Sequence, residues 1–183
     1  MQNEKYVDFE ALRPAFSATG GLLLSQVCDI TGVEAYTVQN WVKRGWVTPP
    51  EKKRYGEFQV ARILVIDALR SALSLDMIAT LMTYVNGRVD DRSDDIIDDC
   101  DLYILIKKGI HLLDEGGKLV SEKKLNRIVE EVIGDYQGPL PDSRERLSGA
   151  LKVMLLGYLS AKLKANAQEA YAQLIGGEKG EDK

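Results

Sequence analysis

Between Leu24 and Leu81 the chain starts and stops helices on a schedule that few folds accommodate. Ser25 is a good N-cap for a helix over about 26–31, and Gly32 ends it in a backbone geometry that costs other residues more. A second helix is predicted over about 35–44, stopped by Gly45 at a typical C′ position. Thr48-Pro49-Pro50 cannot continue it, because consecutive prolines lack amide donors and push the preceding residue to extended geometry. A basic stretch, Lys52 to Phe58 with Gly56, is long enough only for a small β-hairpin. Two short helices, a sharp stop and a basic turn predict a helix-turn-helix followed by a wing, whose usual partner is duplex DNA.

The remaining segments read as helices. Residues 1–20 form an arm with at most a short helix over 8–13. A third helix runs from about Glu57 to Leu73, with Ile63, Ile66, Leu69 and Leu73 on one stripe and Arg62 and Arg70 off it. Ser74 caps a fourth over about 75–85, ended by Asn86-Gly87, and the domain boundary is expected within 86–94. Helices follow over about 94–114, from Ser121 to about Tyr136, and from a capping-box-like Asp142-x-x-Glu145 to about Ile175. In the last, Leu147, Leu151, Met154, Tyr158, Ala161 and Ala165 alternate by four and three. The fold class predicted is mainly α. A winged helix-turn-helix over 21–86 with a small β wing precedes an all-helical domain over 87–176, and a disordered tail occupies 177–183.

A formal net charge of −4 over 183 residues argues at first against nucleic acid. Its distribution argues otherwise. Lys43, Arg44, Lys52, Lys53 and Arg54 against Glu51 give a local net of +4, whereas seven aspartates and one arginine between Asp90 and Asp101 give −6. A phosphate meets the local field rather than the average. No apolar run approaches the roughly 20 residues of a membrane span, and the N-terminal residues lack a basic-then-apolar signal layout. The expected setting is the cytoplasm, with Cys28 and Cys100 as free thiols and no membrane partner.

Within the helix pair, Cys28 fits the small position where the two helices touch, and Val27, Val33, Val38 and Trp41 supply core contacts. That leaves Tyr36, Thr37, Gln39, Asn40, Lys43 and Arg44 for the outward face of the second helix. Amide side chains can bond adenine edges, and arginine and lysine can reach guanine edges or phosphates. Lys52, Lys53, Arg54 and Tyr55 of the wing are the matching phosphate-side residues.

These elements, in this order, resemble the MerR family of bacterial transcription regulators. The resemblance rests on Thr31-Gly32-Val33, Arg44-Gly45-Trp46, Pro49, Arg54-Tyr55, Ile63-Leu64-Val65-Ile66 and Leu73-Ser74-Leu75-Asp76-Met77-Ile78. It implies a winged helix-turn-helix that binds double-stranded DNA as a homodimer. The chain departs from the family where Arg-Tyr-Tyr is common in the recognition helix, having Gln39-Asn40-Trp41 instead. Its wing is short, and an acidic turn stands where a long dimerising helix normally follows. The layout is similar to bacterial proteins that join a MerR-like N-terminus to an all-helical domain.

Other chemistry finds less support. Asp90, Asp94 and Asp98, and likewise Asp91, Asp95 and Asp99, would line up on a helix, but aspartates also gather before helix N-termini, where the macrodipole favours them. No metal site is assigned. His111 lacks an orienting partner, Tyr103, Tyr158 and Tyr171 suit core or interface positions, and no phosphate loop or nucleophile–base pair is present. The reading is a non-enzymatic, sequence-specific DNA-binding regulator without a cofactor, with helix 143–175 as the dimerisation candidate and a small-molecule effector left open. The alternative is a protein-interaction adaptor whose MerR-like domain has lost DNA binding.

Overall fold

The computed structural model describes residues 7–89, 91–115 and 120–177. Among these the chain forms α1 (Phe9–Thr19), β1 (Leu22–Leu23), α2 (Leu24–Thr31), α3 (Ala35–Lys43), β2 (Arg54–Tyr55), α4 (Glu57–Leu69), α5 (Leu75–Asn86), α6 (Asp99–Glu115), α7 (Glu122–Ile133) and α8 (Ser143–Gly177). The fold is mainly α, with a single two-stranded antiparallel sheet.

α4 is the axis of the packing. Its VARILVI run is apolar on nearly every side, and Val60, Ala61, Ile63, Leu64, Val65, Ile66 and Leu69 are all buried. A helix apolar all round must be covered all round, and α1, α2, α5, α6 and α8 pack against it. The resulting core is continuous from α1 to α8. α6 joins it through Leu102, Tyr103, Ile106 and Ile110, with the Tyr103 ring edge-on to Phe9 at 6.1 Å and its hydroxyl donating to the Val7 carbonyl at 3.2 Å. α7 closes the far side with one apolar stripe, Leu125, Ile128, Val129, Val132 and Ile133. Where α6 and α8 cross, a Cβ on Gly109 would lie 2.9 Å from the Leu155 methyls, so the glycine sets how closely these helices approach.

Several boundaries differ from the sequence expectation, each for a local reason. α1 runs through Pro14 to Thr19 rather than stopping near residue 13, because Phe9 and Phe16 pack on each other at 5.9 Å and both are buried. α2 begins at Leu24, and its first exposed amide, that of Leu23, is satisfied by the Gln26 side chain at 2.9 Å; Ser25 is not the cap. α4 ends at Leu69 rather than Leu73, and α7 at Ile133, before Gly134, rather than Tyr136. α6 starts at Asp99 rather than residue 94, because one Asp98 oxygen accepts from the amides of Cys100 and Asp101 at 2.8 and 2.9 Å and so caps the first turn. Asp91, Asp94 and Asp95 therefore precede the helix rather than lining up along it; Asp90 lies outside the described residues. Among the described residues no cluster of three metal-ligating side chains occurs, and no helix is long and apolar enough to cross a membrane. The tail expected to be disordered lies outside the described residues from 178 onward.

Candidate nucleic-acid interface

The turn between α2 and α3 follows from its glycine. Gly32 sits at φ 70°, and its amide donates to the Cys28 carbonyl at 2.8 Å. Thr31 locks the same turn, its hydroxyl donating to the Val27 carbonyl at 2.8 Å and accepting from the Val33 amide at 3.2 Å. α3 ends in a Schellman motif: Trp46 donates to Trp41 and Gly45 to Val42, both at 3.0 Å, with Gly45 at φ 76°. This C-terminus turns Val47 into the core and leaves Arg44 at the rim, its guanidinium 5.3 Å from the Trp46 ring centroid.

α3 is divided cleanly. Val38 and Trp41 are buried, whereas Tyr36 is 73% exposed and Gln39, Asn40, Lys43 and Arg44 are also exposed; Thr37 is half-buried. The basic turn differs more from expectation. It makes no hairpin of its own over Lys52 to Phe58. Glu51 and Arg54 bridge across a two-residue turn, and the strand that follows pairs instead with β1, in the register Leu22 to Tyr55 and Leu23 to Arg54. Gly56 already belongs to the start of α4, whose Gln59 side chain accepts from the Gly56 amide at 2.6 Å, so no residues remain for a second arm. The same side chain donates to the carbonyls of Thr48 and Pro49 at 2.9 and 2.8 Å, holding the proline segment against α4.

Lys52 and Lys53 form the tip of the turn, exposed and both left-handed at φ 47° and 66°. Two consecutive positive φ values suit the I′-type hairpin turn, a conformation that glycine and asparagine adopt far more readily than lysine. Arg54 and Tyr55 must be reassigned. Tyr55 is 3% exposed and part of the core, out of reach of any external partner. Arg54 is half-buried, and its Nη1 donates to the Gly21 carbonyl at 2.9 Å, fastening the strand to the residue that precedes β1.

Beside this turn lies a cleft of about 480 Å³, walled by the proline segment, the start of α4 and Arg88, Val89, Arg92, Asp95 and Asp99. Sequence reasoning missed its main feature. Arg62, expected off the apolar stripe of α4, is buried and directs Nε to both oxygens of Asp99 at 3.2 and 3.1 Å. Asn86 is buried beside them and donates to Asp99 Oδ1 at 3.2 Å and to the Ile97 carbonyl at 2.9 Å. Burial pushes the Asp99 carboxyl up from its ordinary range, while the Arg62 guanidinium pulls it back. Arg92 lies over the Phe58 ring, 3.2 Å from its centroid, and 3.6 Å from Asp95. Asp95 is pushed up to about 6, mainly by burial and then by the nearby Asp99. The available signal was a lone arginine inside VARILVI, a run too apolar to leave any face for solvent.

Neither thiol is reactive by its surroundings. Cys28 is half-buried, and burial, Glu34 and Asp29 all raise its pKa; Cys100 is buried, and burial again raises its pKa most. His111 faces solvent and meets Glu115 at 3.3 Å.

Residues 22–104 match the family described as Domain of unknown function (DUF1836). That span runs from β1 into α6 and contains both Arg62 and Asp99. The chain is also similar to a Bacillus subtilis (strain 168) protein named "Uncharacterized protein YkrK", 25% identical over 163 residues that make up 83% of this chain and 69% of the relative. No solved structure matches it.

Proposed function

We propose that the chain is a DNA-binding transcriptional regulator whose N-terminal part is a MerR-like winged helix-turn-helix. α3 enters the major groove with Tyr36, Gln39, Asn40, Lys43 and Arg44 toward base edges and phosphates, Thr37 at the margin, and Lys52 and Lys53 on adjacent backbone phosphates. The observation that carries this reading is the division of α3. Its apolar side is sealed by Val38 and Trp41, and its other side offers amides, cations and a tyrosine that make no contribution to the core. Polar side chains kept outward at the end of a short helix suit a partner with a polar, anionic groove.

One such surface makes few contacts, so the working form is a homodimer on an inverted repeat. α8 supports it. Leu147, Leu151 and Met154 are spent on the internal core, but a second stripe, Val153, Leu156, Ser160, Leu163, Ala167, Ala170 and Leu174, is exposed at alternating spacings of three and four. An isolated helix gains little stability in water without an apolar face to bury, and a second copy offers the complementary stripe.

The test is fluorescence anisotropy with a duplex covering the region upstream of the protein's own gene, repeated from about 50 to 200 mM salt. Lys43→Ala and Arg44→Ala should each weaken binding roughly fivefold to a hundredfold. Lys53→Ala should flatten the logarithmic salt slope by about 0.9 for each protomer, or about 1.8 for the dimer, while Tyr55→Phe should leave that slope unchanged. Binding indifferent to all of these substitutions would remove the proposed surface and leave the adaptor reading in its place.

A further inference from the structure

The cleft beside the basic turn continues into a second, more apolar chamber of about 250 Å³, lined by Trp46, Ile66, Leu75, Ile78 and Met82. The two chambers share Arg62, Arg88 and Val89. At this junction Arg62 is in an unusual position. Its side chain is more than nine-tenths buried, yet it meets Asp99 through Nε alone, and its two terminal amines have no hydrogen-bond partner among the described residues. Arg62 lines both chambers. A buried guanidinium that leaves its outer fork unmatched has desolvated donors without recovering their bonds.

We infer that the two chambers form one binding site for a small amphipathic carboxylate, its head on the free edge of Arg62 and its apolar body in the chamber between α4 and α5. A planar guanidinium edge matches a carboxylate through two parallel bonds. The adjoining walls then receive a ring or short alkyl chain, and the first chamber, at about 480 Å³, is of the scale of small-molecule sites, roughly 300–1,000 Å³. The site does not depend on the DNA-binding reading, although Arg54 and Glu51 of its rim belong to the basic turn and would connect its occupancy to that turn.

The experiment is a titration of the full chain with octanoate and phenylacetate, with octanamide and phenylacetamide as neutral controls and inorganic phosphate as a head-group control. The readout is the indole N–H resonances of the two tryptophans: Trp46 lines the apolar chamber, whereas Trp41 is in the core. Either carboxylate should shift the Trp46 signal in a saturable way and leave Trp41 in place, with no effect from the amides or from phosphate. Arg62→Lys keeps a charge for Asp99 but removes the fork, and should weaken binding roughly tenfold. Ala79→Trp fills the apolar chamber without touching the ion pair, and should abolish the shift even if the lysine variant folds poorly. Failure of both carboxylates to move Trp46, equal binding by the amides or phosphate, or undiminished binding by Ala79→Trp would overturn the site. None of these outcomes bears on duplex binding, which the anisotropy experiment tests separately.

Discussion

Arg62 of α4 and Asp99 at the start of α6 meet at 3.1 Å inside the protein, joining two helices that lie 37 residues apart in the chain. The pair is nearly dry, with side-chain exposures of 8% and 12%. Removing one partner strands a buried charge, whereas removing both strands none. Asp99→Ala is therefore expected to cost about 3–5 kcal/mol, and Arg62→Met with Asp99→Leu to recover most of that loss. Urea unfolding of the single and double variants measures both.

The left-handed lysines at the basic turn predict a gain from substitution. Lys52→Asn with Lys53→Gly places residues that adopt positive φ at low cost where two lysines now carry strain of about 1 kcal/mol or more each. Thermal unfolding should show stabilisation of about 1 kcal/mol, reduced by the extra freedom glycine gives the unfolded chain. The same variant should bind duplex DNA more weakly if the turn grips phosphates. Stability and affinity moving in opposite directions is the expected signature of a strained functional turn.

Asp95 predicts a pH dependence. Its carboxyl is pushed up to about 6 in the folded protein from an ordinary value of 3.8. The native state thus holds a proton that the unfolded chain has already released, and stability falls as pH rises between these two values. Asp95→Asn should remove this penalty, making the protein more stable than the parent by about 1 kcal/mol at pH 7 to 8, with the difference vanishing near pH 4. Denaturant midpoints across that range decide it; a constant difference would place its cause elsewhere.

Leu163 and Leu174 are 59% and 67% exposed on the outer part of α8, where they take no part in the internal core. Leu163→Lys with Leu174→Lys should leave the fold's stability nearly unchanged and convert a dimer to a monomer in analytical ultracentrifugation. A dimer that persists would move the interface away from α8.

The helix order was legible because glycines, prolines and caps act locally: Gly32, Gly45, Ser74, Ser121 and the Pro139–Pro141 break all fall at helix ends or between helices. The outward face of α3 was legible too, since Val38 and Trp41 follow helical spacing. What could not be read was pairing at a distance. Nothing near Arg54 and Tyr55 says that their strand partner is Leu22–Leu23 rather than the next few residues. Nothing near Arg62 names Asp99, and the acidic run hid that residue among six look-alikes. On α8 the apolar surplus of the first half was legible from Leu155 and Leu156 beside the heptad-like stripe, but which stripe faces outward depends on the packing of α4, α5, α6 and α7 against it.

The strand that follows the basic turn pairs with the residues just before α2. The pairing of Leu22 and Leu23 with Tyr55 and Arg54, reinforced by Arg54 on the Gly21 carbonyl, cinches the chain into a noose around α2 and α3. Closing that loop removes conformational freedom from everything inside it. Both helices and the basic tip are thereby gathered at a single knot, and whatever tightens or slackens Gly21 against Tyr55 is felt at all three together.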